Sequence, residues 1–89
     1  MNLKFDRKKA EENMKLLVDA SNGLPIGTGE DLAPAMAAIG GLEVTIHMLS
    51  IYERKNGDSC GDLINVARST KDNLMQRLET FFNIHNFSL

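Results

Sequence analysis

The chain has 89 residues and a mass of 9.9 kDa, with 43% apolar and 25% charged residues, seven Gly, two Pro and a formal net charge of −2. This composition argues against disorder and against two self-sufficient cores, so a single helical domain over 1–89 is expected. Ten basic residues against twelve acidic ones leave no surplus positive charge to neutralise phosphates, which removes the main driving force for sequence-independent nucleic-acid binding.

Cys60 is the sole cysteine and cannot form an intramolecular disulfide, whereas a secreted domain of this size usually needs several. The opening MNLKFDRKKAEEN has no apolar core of signal-peptide length, and no uninterrupted apolar run approaches the ~20 residues that span a bilayer. The expectation is a cytoplasmic protein with no membrane attachment.

The first helix is predicted over 6–22, with Ala10, Met14, Leu17 and Val18 on one side and Gly23 as its stop. Lys4, Arg7, Lys8, Lys9 and Lys15 crowd this end beside Asp6, Glu11 and Glu12. They read as a solvated face with i,i+4 pairs Arg7/Glu11 and Lys8/Glu12 rather than a phosphate-binding patch. A loop over 23–31 follows, its Gly and Pro25 supplying turn chemistry.

The second helix is predicted over 32–55, capped by Asp31, with Pro34 in the first turn and Asn56-Gly57 closing it. Leu42 to Ile46 alternates as a strand would, and Gly40-Gly41 would break the helix and give four helices instead of three. The longer 3.6-residue period favours one continuous helix. Ser59 and Asp62 are spaced as a capping box for a third helix over 59–83, and a tail covers 84–89.

Within the second helix, Leu32, Ala35, Ile39, Leu42, Ile46 and Leu49 form the seam expected against neighbouring helices. A second apolar series, Ala37, Gly41, Val44, Met48 and Ile51, lies roughly opposite. Only Glu43, His47, Ser50 and Arg54 make a polar wedge. Two neighbours can barely cover so apolar a helix, so it is expected to meet a second copy; a tight monomer with this helix at its centre is the competing arrangement.

Motifs that carry chemistry are sparse. Gly27-Thr28-Gly29 lacks the Lys and Ser/Thr of a phosphate loop and is followed by Glu30 and Asp31. His47, His85 and Cys60 lack metal-ligand spacing, so neither metal nor cofactor is expected. Glu43 and His47 can touch across one turn, and Cys60 near a helix start could be activated, but no nucleophile and base pair up in sequence. The turn at 55–59 has helix-turn-helix length, yet Asp62 would point negative charge at DNA.

The aromatic end, Phe81, Phe82 and Phe87, reads as core or as an apolar anchor for another protein. The expectation is therefore an all-α, antiparallel three-helix bundle, homodimeric, that serves as a non-enzymatic interaction or regulatory protein. Its partners are itself and another protein, and its candidate interface is Ala37, Gly41, Val44, Met48, Ile51, Phe81 and Phe82. A small DNA-binding regulator, or an enzyme built around Glu43, His47 and Cys60, are the alternatives.

Overall fold

A computed structural model describes residues 6–57 and 59–85, and among them every regular element is helical. Helix α1 spans Arg7–Asn22, α2 spans Leu32–Asn56 and α3 spans Gly61–His85, with a single 3-10 turn at Gly29–Asp31 leading into α2. Lys4, Asp58 and the tail residues Phe87 and Leu89 lie outside the described residues. The expected boundaries recur within two residues, and Ile84 and His85, expected in the tail, continue α3.

The chain runs up, down and up. Arg7 at the start of α1 reaches Ser59 and Asp62 beside the start of α3, and Arg77 of α3 reaches Ser21 and Leu24 at the end of α1. Those two helices are therefore parallel, and α2 returns between their ends antiparallel to both. The molecule measures 47 × 23 × 20 Å, a cross-section of about two helix diameters.

Two apolar clusters hold the bundle. Near the start of α3, Met14, Leu42, Leu49, Cys60, Leu63, Ile64 and Ala67 are buried together. Toward the other end Ala35, Leu74 and Leu78 are buried, with Leu24 and Ile26 of the connector packed against them. The seam predicted on α2 is the one that is covered: Ala35, Leu42 and Leu49 are buried, and Leu32, Ile39 and Ile46 pack beside them. The most enclosed helix is α3, with Leu63, Ile64, Ala67, Thr70, Leu74, Leu78 and Phe81 all buried, so α2 does not occupy the centre.

Gly40 and Gly41 do not interrupt α2. Two helical glycines cost about 1 kcal/mol each relative to Ala, and the complete burial of Leu42, worth about 2 kcal/mol, together with Ile39 and Ile46, offsets much of that cost. The helix ends at Gly57, whose φ of 73° is left-handed and whose N–H donates to the Glu53 carbonyl, as the Asn-Gly pair predicts.

Three caps differ from their expected form. Gly23 does end α1, but with right-handed φ −87° and ψ −4°, and the carbonyls there receive help from Arg77 instead of a left-handed turn. Asp31 makes no side-chain bond to α2; its carboxylate turns back to accept the Gly27 and Thr28 N–H groups at 2.8 and 2.9 Å. Ser59 and Asp62 do not form the expected box: the Ser59 hydroxyl accepts from the Gly61 N–H at 3.5 Å, while Asp62 is drawn to Arg7.

Candidate functional site

Along α2 the side turned away from the other helices carries Ala33, Met36, Ala37, Gly40, Val44 and Met48, all exposed. Met36, Val44 and Met48 retain 62%, 58% and 64% of their surface. The cause lies in the sequence, because α2 is apolar on two faces while α1 and α3 supply cover for one. Of the candidate interface residues, Ala37, Val44 and Met48 are exposed and Gly41 and Ile51 are half-buried at the flank. Ala33, Met36 and Gly40 are the members that the two-stripe reading missed; they lie at steps of three and four residues from the stripe it named.

From Gly29 to Asn56, α2 with its leading turn is long and apolar enough to cross a membrane, and only 17% of its most apolar 18 residues is buried. Averaged over such a window, the helix is more apolar than its uninterrupted runs suggest. Glu43 and His47 interrupt the run without lowering the average enough to exclude the helix by length and composition. Such a helix is weak grounds for a membrane location, because core helices of soluble proteins meet the same test.

Beside this face, an apolar groove of about 410 Å³ opens between α2 and α3, lined by Met36, Ile39, Met75, Leu78, Glu79 and Phe82. Glu79 is its one ionisable group, so it can receive apolar side chains but contains no acid and base pair. Phe82 belongs to this groove, whereas Phe81 is buried within the chain, its ring 4.4 Å from that of His85.

The residues of the enzyme alternative are not brought together. Glu43 and His47 are exposed on α2, with no ion pair between them among the described residues. Cys60 is fully buried in the cluster near the start of α3, and its N–H donates to Glu53 Oε2 at 2.6 Å. Glu53 lies ten residues beyond Glu43, about 15 Å along the helix axis. Among the described residues no three His, Cys, Asp or Glu side chains gather as metal ligands.

The glycine loop is similarly engaged within the chain. The amides of Gly27 and Thr28 that an anion would need are taken by Asp31. Those bonds, Gly27 first, hold the Asp31 carboxyl below its ordinary value.

At the basic end, Arg7 pairs with Glu11 at 3.0 Å and with Asp62, and donates to the Ser59 carbonyl at 2.9 Å. The hydrogen bond that Arg7 donates to the Glu11 carboxylate is the chief reason that its guanidinium is held above its ordinary value. Lys8 and Glu12 make no such pair among the described residues. Compared with protein-family models, with curated proteins and with solved structures, the chain matches none.

Proposed function

We propose that this chain is a small non-enzymatic interaction protein that works through the outer face of α2 and associates there with a second copy of itself. The observation that carries the reading is the exposure of Met36, Val44 and Met48 on one face of a single helix. At four-residue spacing Met36, Gly40, Val44 and Met48 form an apolar row bordered by the exposed Glu43 and His47, and such apolar rows on small folded chains mark interaction sites. Burying each of those side chains in full is worth about 1.5–3 kcal/mol.

A cytoplasmic location belongs to the same reading. It is supported by the single cysteine, since reducing compartments favour chains without disulfides. Binding of another protein belongs to the same class of activity, but self-association accounts for the α2 face most directly.

Light scattering at micromolar concentration tests the reading. The expected mass is that of two chains, and Met48→Glu is expected to shift it toward one, because a carboxylate in an apolar seam is desolvated without a partner. The mass of one chain for the unaltered protein rejects the homodimer. A dimer indifferent to Met48→Glu moves its interface away from α2.

A further inference from the structure

Resting on the reading that α2 is the self-association face, we infer that the two copies meet with their α2 helices antiparallel, Ala37 opposite Met48 and Gly41 opposite Val44. The face is graded in size along its length. Its first half presents Ala33, Ala37, Gly40 and the half-buried Gly41, with Met36 along one edge, and its second half presents Val44, Met48 and the half-buried Ile51, with His47 along that same edge. A Cβ added at Gly40 or Gly41 meets nothing within 4 Å, so the small half is an open trough within one copy.

Turning one helix end for end lays the large half of each copy in the small half of the other. Methionine, unbranched and adaptable, suits such a trough. A parallel pairing would set Met48 against Met48 and glycine against glycine, leaving voids where apolar contact is lost.

Charge selects the same orientation. Glu30 sits at the start of the face, and Arg54 and Lys55 sit at its end; all three are exposed, and none makes an ion pair among the described residues. In the register that sets Ala37 opposite Met48, Glu30 of one copy lies opposite Lys55, and next to Arg54, of the other. The two-fold axis repeats that pairing at the far end. A parallel arrangement would align like charges at both ends.

The experiment mixes two cysteine variants in a Cys60→Ala background, Ala37→Cys and Met48→Cys, under mild oxidation. The expected result is a disulfide-linked dimer in the mixture and little in either variant alone, since the bond forms only where Cα atoms come within about 7 Å. Cross-linking of each variant with itself overturns the antiparallel register.

A chain that scatters as a dimer but forms no link in any combination also overturns the register, while leaving self-association standing. A monomer at every concentration rejects the underlying reading as well. In that case, binding of the monomer to phosphatidylcholine and phosphatidylglycerol vesicles would assign the face to a membrane surface instead.

A second variant set guards against loss of contact at the cysteine sites. Glu30→Lys is expected to weaken association about tenfold, because it turns two symmetry-related attractions into repulsions. Combining it with Arg54→Glu and Lys55→Glu is expected to restore association. Failure of the combined variant to recover overturns the pairing.

Discussion

The carboxylate of Glu53, near the end of α2, accepts the backbone N–H of Cys60 at 2.6 Å, and the Cys60 carbonyl in turn accepts the N–H of Ile64 at 2.9 Å. The residue that immediately precedes α3 is thus held by the helix before it, across the tight Gly57 turn. Cys60 is fully buried, so its N–H would otherwise lose water without a substitute. Glu53→Ala is expected to lower stability by about 1–2 kcal/mol in chemical denaturation, with Glu53→Gln recovering part of the loss through its amide oxygen. Equal losses for the two variants would mean that the cap is not what Glu53 contributes.

Leu42 and Leu74 are each almost wholly buried, one in each apolar cluster. Replacing either with Ala is expected to cost about 3 kcal/mol, a large share of the stability of a chain this size. A loss below 1 kcal/mol at either position would show that the cluster collapses onto the deleted side chain.

Gly40 and Gly57 respond to Ala in opposite ways. Gly40 is helical and open, so Gly40→Ala is expected to raise the unfolding free energy of the monomer by about 0.5–1 kcal/mol. Gly57 has φ 73°, and Gly57→Ala is expected to cost about 1–2 kcal/mol. If Gly40 forms part of the trough for a second copy, the same Gly40→Ala that steadies the helix weakens the dimer. Thermal melts at low concentration and scattering at high concentration read the two effects separately.

The Asp31 carboxyl is held below its ordinary value, chiefly by the Gly27 N–H and then by the Thr28 N–H. Because the folded-state value is depressed, its contribution is complete above the ordinary carboxylate value and is lost as pH falls through the depressed one. Asp31→Asn is expected to melt at a lower temperature than the unaltered chain at pH 7, with the gap closing below about pH 4. A gap that stays constant into acid would exclude the carboxylate as its source.

The Cys60 thiol lies in the core, so a thiol reagent is expected to label it only as the chain unfolds. Labelling should follow the denaturation curve. Fast labelling in native buffer would reveal opening of the α2–α3 end.

Much of this architecture is readable from the chain itself, because periodicity, caps and breakers act locally. The Leu32-to-Leu49 seam, the Asn56-Gly57 stop and the apolar surplus of α2 all follow from spacing alone. Tertiary structure decided which helix is enclosed and where the loose polar groups find partners. Arg77 serves carbonyls of Ser21 and Leu24 more than fifty residues away, Arg7 takes Asp62 out of its expected cap, and Glu53 replaces Ser59 at the head of α3. A cap read from spacing assumes that the nearest side chain is the closest donor or acceptor. Packing three helices side by side brings distant chain segments within 3 Å, and the shorter path through space then wins. The same packing covers one stripe of α2 and leaves the other bare, because α1 and α3 lie along the Leu42 side and, among the described residues, no other element covers Val44 and Met48.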